Sequence, residues 1–540
     1  MKRTHPIPLA CLGYIGVAVP LIARSTTFSA AAVLCLASTL AFAQVAAVET
    51  KTMPKTPDPC TSTHQFATTD CALTWHGITL YGAYDVGIGW VSHGLPENGS
   101  NYEGESLVNR NGYQHRFLVA PNNLSQTGLG IRGKEEFLPG WSVVFNASTG
   151  INPQSGLLAN ASATDIVNNG LPRASYSIAI DGARAGQPFN DEYYGGIASK
   201  HAGTLTFGRQ RSLGTDAMLQ YDPAGGAYAF SSIGYNGTMA GGGDTEDSRW
   251  DDTLKYRLAY GPAHFGAMYK FADGSAGCYS ALAAAGSAWT AANCTPEAAH
   301  NNAFGFNLGG KYAKVSGDLV YQHYNQAISV LNPLLGPQAV KQGYESTTDS
   351  IDTTPISGAN LIDPNNTVYG IVTDNNAVMA AAKYASEQFK VFAGYEYIWQ
   401  NNPRNPLGVG ASDQGGYFMS GVEDNNLDSE KLVNIWWTGA KYTYRAKTDA
   451  TFAWYQQRQN DFRVPPTCSA AAGFRASCAG TLNEGSFYVD HHFTRRFDSF
   501  AGVAYSFVSG GLAIAIPHGP GVPYKSDNNL APTIGSRFAF

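Results

Sequence analysis

Along most of the chain, apolar and polar side chains alternate one for one. Between residues 304 and 312, Phe304, Phe306, Leu308 and Tyr312 fall on one side and Asn307 and Lys311 on the other. In 389–399, Phe389, Val391, Tyr395, Tyr397 and Trp399 oppose Lys390 and Glu396. In 254–260, Leu254, Tyr256, Leu258 and Tyr260 oppose Lys255 and Arg257. A repeat of two is the mark of a strand with unlike faces, because successive side chains leave the backbone on opposite sides. A soluble antiparallel sandwich would alternate in the same way; aromatic residues at the strand ends and the lengths of the connections point elsewhere. Seven connections are very short: Leu138–Gly140, His201–Gly203, Gly261–Ala263, Lys314–Gly317, Ser386–Glu387, Arg445–Thr448 and Arg495–Asp498. Between them run long polar stretches, roughly 93–124, 151–191, 211–249, 273–302, 327–374, 401–430, 463–482 and 510–530. Seven hairpins, with one strand near Trp75–Val91 and one at Ala531–Phe540, predict sixteen strands. Loops of this length are foreign to a compact soluble domain. Short turns on one rim and eight long loops on the other predict an all-β fold, a 16-stranded antiparallel transmembrane β-barrel. Closure follows from the solvent: in hydrocarbon an open sheet edge would leave backbone groups without partners. Sixteen staves leave room for a water-filled bore.

Composition agrees. Charged residues make up 14% of the 540, well below the roughly 25% of soluble proteins, yet no run reaches the roughly 18 apolar residues of a spanning helix. Sixty glycines, 30 tyrosines and 26 phenylalanines suit short strands with aromatic girdles. The N-terminus carries Lys2, Arg3 and Arg24 and no other formal charge before residue 49, then an apolar stretch from Ser29 to Phe42 and the small-residue site Ala41-Phe42-Ala43. This predicts a cleaved export signal over 1–43, a loosely held Pro/Thr-rich extension over 44–74, and the barrel over 75–540. Cleavage removes three cations and no anion, leaving 32 Lys+Arg against 41 Asp+Glu, which excludes a nucleic-acid partner. Two of the eight cysteines, Cys11 and Cys35, leave with the signal. The other six form close pairs, Cys60/Cys71, Cys278/Cys294 and Cys468/Cys478, expected as local disulfides in an exported chain. The sequence has no C-x-x-C, so neither metal nor cofactor is expected. Nor does it hold a nucleophile–His–acid spacing or a P-loop, so no enzyme is expected.

The chain resembles the general trimeric porins of Gram-negative outer membranes. The likeness rests on Ile78-Thr-Leu80-Tyr81-Gly82-Ala-Tyr-Asp85, on Leu129 to Gly140 with Arg132, Gly133, Glu135 and Glu136, on Thr204-Leu-Thr-Phe207-Gly208-Arg209-Gln210, and on the terminal Phe540 with Phe538 before it. It covers about 75–540 and departs in the long N-terminus, the long second and fifth loops and the cysteines. The resemblance implies a homotrimer in a bilayer with lipopolysaccharide, delivered by the outer-membrane assembly machinery through Phe540, and a third loop folded into each lumen as a constriction. That loop, 211–249, carries Asp216, Asp222, Asp244, Glu246 and Asp247. A basic cluster on the facing wall is the family's other half of the waist, and Arg132 and Arg209 match positions of that kind. Arg209 has the outward parity, so its inward position requires a bulge at Gly208.

With the apolar side taken as lipid-facing, the lumen side collects Asp85, Arg132, Lys134, Glu136, Lys255, Arg257, Lys270, Lys311, Lys383, Lys390, Glu396, Lys441 and Asp490. A Lys or Arg on the lipid face at mid-depth would cost about 2–4 kcal/mol. Nine of the thirteen are basic, which predicts a mild anion preference, with Lys255 and Arg257 joining the constriction. The function expected is passive diffusion of small hydrophilic solutes and ions. Two alternatives stay open: a channel selective for sugars or carboxylates, with Tyr221, Tyr228 and Tyr235 as a slide, and a surface receptor or adhesin that uses the long loops.

Overall fold

In the computed structural model, described residues run over 59–69, 71–93, 115–151, 189–235, 249–271, 302–325, 374–401, 429–462, 479–513 and 527–540, with isolated positions between them. The proposed export signal, Cys278, Cys294, Cys468 and Cys478, and Asp244, Glu246 and Asp247 of the third loop lie outside these residues. The unit Pro57–Phe540 contains a closed, antiparallel, 16-stranded barrel.

Its staves are β1 (Ile78–Val91), β2 (two pieces, Arg116–Pro121 and Gly128–Leu138), β3 (Trp141–Gly150), β4 (Tyr193–Ser199), β5 (Gly203–Arg211), β6 (Arg249–Tyr260), β7 (Ala263–Lys270), β8 (Ala303–Tyr312), β9 (Val315–Tyr324), β10 (Asp374–Ala385), β11 (Phe389–Asn401), β12 (Lys431–Tyr444), β13 (Thr448–Gln459), β14 (Gly480–His492), β15 (Phe497–Gly510) and β16 (Asn528–Ala539). Each pairs with the next, and β1 pairs with β16 from Ala83↔Ala539 to Gly89↔Thr533. Gly82 and Phe540 exchange both backbone hydrogen bonds at 2.9 Å, so the last residue locks the seam. Two-stranded hairpins in the fifth and sixth loops stand apart from the barrel.

The alternation decides which face meets which solvent. Outward residues are large and exposed: Ile88, Phe117, Val143, Leu308, Phe452, Phe487 and Ile534 among others. Exposed aromatics border six of the seven short turns, with Phe137 and Trp141 at one, then Tyr260, Tyr312, Phe389, Tyr444 and Phe497 at five others. This is the interfacial girdle of a membrane barrel. Glu135 and Arg458 carry charge on the outward face, each near the end of its strand.

Two features differ from expectation. The first loop is shorter than 93–124, because Arg116–Pro121 pairs with β1 before the chain breaks at 122–127 and resumes as Gly128–Leu138. The extension before the barrel is not loose in its last part. Cys60 and Cys71 form a disulfide around a short helix, α1 (Thr63–Thr68), capped by Ser62. Phe66 packs edge-on against Phe538 at 6.0 Å. Arg496 lies 4.2 Å over the Phe66 ring and donates to the carbonyls of Phe66 and Cys71. Leu73–Trp75 then pairs with the start of β1.

Candidate functional site: a bore narrowed by its third loop

The third loop turns inward at once. Ser212 caps α2 (Leu213–Tyr221), accepting from the Thr215 amide at 3.2 Å. The apolar side of α2, Leu213, Ala217, Met218 and Tyr221, is buried against inward residues of the wall, including Met268, Val320, Met379 and Trp437. Polar contacts pin the loop along its length. The Gly214 amide donates to Gln322, Lys383 donates to the Gln220 carbonyl at 3.1 Å and Trp437 Nε1 to the Tyr221 carbonyl at 3.1 Å. Tyr455 donates to Asp222 at 2.6 Å. Phe230 then stacks on Tyr488 at 4.5 Å, and the Ala229 amide reaches the Asn123 carbonyl at 3.2 Å. The wall is pared back where the loop lies: a Cβ at Gly439 would sit 2.5 Å from Pro223, and one at Gly502 would sit 2.8 Å from Phe230.

The loop thus lines one arc of the bore, and the strands from β1 to β6 form the arc left open. There Arg132 is exposed to the bore, its guanidinium 5.1 Å over Tyr81. Tyr81 donates to Asn146 at 2.5 Å, and Asn146 to Glu192 at 3.3 Å. Asp216 of α2 faces this arc. Lys255 Nζ lies 2.6 Å from its carboxylate, and Arg257 pairs with the same oxygen. Burial alone would raise the Asp216 carboxyl, but the two cations outweigh it and hold it below the ordinary 3.8. A second ion cluster ties the loop's ends to the second loop: Arg249 and Arg211 reach Asp191 at 2.6 and 3.2 Å.

All thirteen wall charges named from the sequence share the inward parity in the strand register. They do not share one place. Arg132, Lys134, Glu136, Arg257, Lys311 and Lys390 are exposed to the bore, and Lys383 and Lys441 are half-buried. Asp85 has no exposure; its carboxylate accepts the amides of Asn123, Leu124 and Ser125, which shapes the break in β2. Lys255, Lys270 and Glu396 are buried. Asp222 is buried too, and burial pushes its carboxyl up against the pull of Tyr455; it fastens the loop to the wall and does not face the gap. Arg209 is corrected likewise. The register does shift between Gly208, at φ +124°, and Gln210, but the extra residue falls on β6 between Trp250 and Thr253, so Arg209 keeps the outward parity of its partner Tyr193; it is 5% exposed and donates to the Asn190 carbonyl. Tyr221 is buried under the loop, not on a slide, and its hydroxyl, desolvated there, is pushed up to about 12; Tyr228 is half-buried.

Several participants were not singled out beforehand. Tyr81, Asn146 and Glu192 carry no charge pattern that marks them. Arg211 and Arg249 were legible only as the ends of the third loop. Asp318, Asp449, His492, Asp498 and Arg537 also face inward, in the half of the bore near the short turns. There the charges form sectors: Lys390 sits directly across from Lys441, and Asp449 across from Asp490.

The sequence pattern of a family described as Gram-negative porin matches residues 30–511. No individually curated protein matches the chain. Among solved structures, the anion-selective porin from Comamonas acidovorans superposes with a TM-score of 0.51 at 12% identity, covering 86% of this chain and 99% of that one. OmpT, an outer membrane protein of Vibrio cholerae, gives 0.47 at 11% identity over 87% and 99%. The Salmonella typhi OmpF complex with daunomycin gives 0.42 at 12% identity over 86% and 98%.

Proposed function

The chain belongs to the Gram-negative porin family, as an outer-membrane channel for passive diffusion, and on that footing we propose that its bore favours anions at a waist set between the cluster of Asp216, Lys255 and Arg257 and the wall of Tyr81 and Arg132. The observation that carries this is the double pairing of Asp216: Lys255 and Arg257 both hold it, so the loop's acid adds no free negative charge to the gap. Arg132, across the opening, keeps its cation in water. Below the loop, Lys311, Lys383, Lys390 and Lys441 present a basic sector to any solute leaving the waist. Rings of fixed charge set ion preference in this way. The homotrimer, removal of residues 1–43 and recognition of Phe540 during assembly belong to the same reading and rest on the family.

Reversal potentials of the purified protein in a planar bilayer under a KCl gradient test the waist. Wild type is expected to pass chloride in preference to potassium. Arg132→Ala with Arg257→Ala is expected to lower the chloride-to-potassium permeability ratio several-fold. A cation-selective wild type, or an unmoved ratio in the double variant, rejects the assignment.

A further inference from the structure

A second cluster lies in the bore, on β13 to β16 near the short turns. Asp449, Asp490, His492, Asp498 and Arg537 all face inward there. Three carboxylates surround one imidazole: His492 Nε2 is 3.7 Å from Asp449 and 3.8 Å from Asp490, and Nδ1 is 3.5 Å from Asp498. These separations are too long for good hydrogen bonds. Asp490 and Asp498 are each 6% exposed, and each leaves its Oδ1 buried without a hydrogen-bond partner. Their Oδ2 atoms lie 3.7 and 2.7 Å from Arg537, and Lys441 stands 4.0 Å from Asp449. Three carboxylates against Arg537 and Lys441 leave one formal negative charge uncompensated beside the imidazole. Asp449 and Asp490, directly opposite on neighbouring strands, repel unless a cation lies near them.

The geometry points to a binding site for a divalent first-row metal ion, of which zinc is the type, held by Asp490, His492 and Asp498. One ligand atom from each lies within 4.8 Å of those of the other two. Ligands about 2.1 Å from a tetrahedral ion stand about 3.4 Å apart, so closing the site from 4.8 Å takes a contraction of at most about 1.4 Å. Imidazole with carboxylates suits zinc and its neighbours better than magnesium or calcium. With Nδ1, the nitrogen beside Asp498, as the ligand atom, Nε2 faces Asp449 at 3.7 Å, in the second-shell arrangement that fixes a ligand imidazole. His492 and Asp449 are half-buried, so bore water reaches the site. Occupancy turns the local charge from one negative to one positive, which opposes cations at the exit of the bore. This consequence rests on the bore being the permeation path; the binding does not.

Equilibrium dialysis of the purified, folded protein against micromolar zinc chloride, followed by metal analysis, tests binding directly. Wild type is expected to retain about one zinc per chain more than the variant His492→Ala with Asp490→Asn. The single variant His492→Gln, close to histidine in volume, is expected to weaken retention at least tenfold. Folding of each variant is checked by its heat-dependent gel mobility. In bilayers, zinc added to wild type should raise the chloride-to-potassium ratio, a chelator should reverse it, and the variants should not respond. Equal zinc retention by wild type and both variants overturns the site. Retention without any selectivity change overturns only its effect on permeation.

Discussion

At the scale of single residues, the side chains that shape the passage act through their partners. Asp216 shares its charge with Lys255 and Arg257. Its folded value lies below the unfolded one, so its contribution to loop docking is fully present above the ordinary 3.8 and is lost as pH falls through the depressed value. The expected outcome is an open-channel current as quiet at pH 4.5 as at pH 7, with flicker appearing only in stronger acid; flicker that begins near pH 5 counts against the pairing. Tyr455→Phe removes the hydroxyl bonded to the buried Asp222, a hydrogen bond to a charged group worth about 1.5–3 kcal/mol. The variant should leave the barrel folded and make the third loop cleavable in limited proteolysis; an uncut loop would show that the apolar face of α2 suffices. The inward set was legible because parity in a strand is binary. Arg209 does not turn inward because the extra residue at the irregularity falls on β6 rather than at Gly208, so alternation carries on through 209 and the Asn190 carbonyl receives the guanidinium. Nothing local to residue 209 encodes that partner.

At the scale of elements, the seven tight turns and the strand count were legible, since the alternation stops where a short polar turn begins. The break in β2 was not. It depends on Asp85 accepting three amides from 123–125, a contact made across strands. The N-terminal clasp was hidden for the same reason. Residues 59–72 read as a linker by composition, and their order comes from Phe538 and Arg496, more than 400 residues away. The disulfide closes a loop with a sequence separation of 11, an entropic constraint worth about 3 kcal/mol, on a helix of 6 residues too short to hold alone. Cys60→Ser with Cys71→Ser should therefore release 59–72 to protease while the barrel keeps its mobility on gels. Arg496→Ala should do the same with the disulfide intact, through loss of the ring contact and two carbonyl contacts. A clasp that stays protected in both variants would mean that Phe66 on Phe538 anchors it unaided.

At the scale of the whole molecule, lipid outside and water inside divide the same strands into two chemistries, and the inner one is sorted again by angle around the bore. The lysine side holds Lys390 opposite Lys441, and the acidic side holds Asp449 opposite Asp490. Like charges placed directly across a ladder cost stability. A fold gains nothing from such pairs, so their presence argues that the bore needs a field. Lys390→Gln with Lys441→Gln separates the two effects. The variant should melt no lower than wild type, and higher if the repulsion is the main term. Its chloride-to-potassium ratio should fall, and the fall should be larger at 0.1 M KCl, where screening reaches about 10 Å, than at 1 M, where it reaches about 3 Å. A ratio that drops equally at both salts would place the lysines in contact with the permeating ion rather than in a field that acts across the opening.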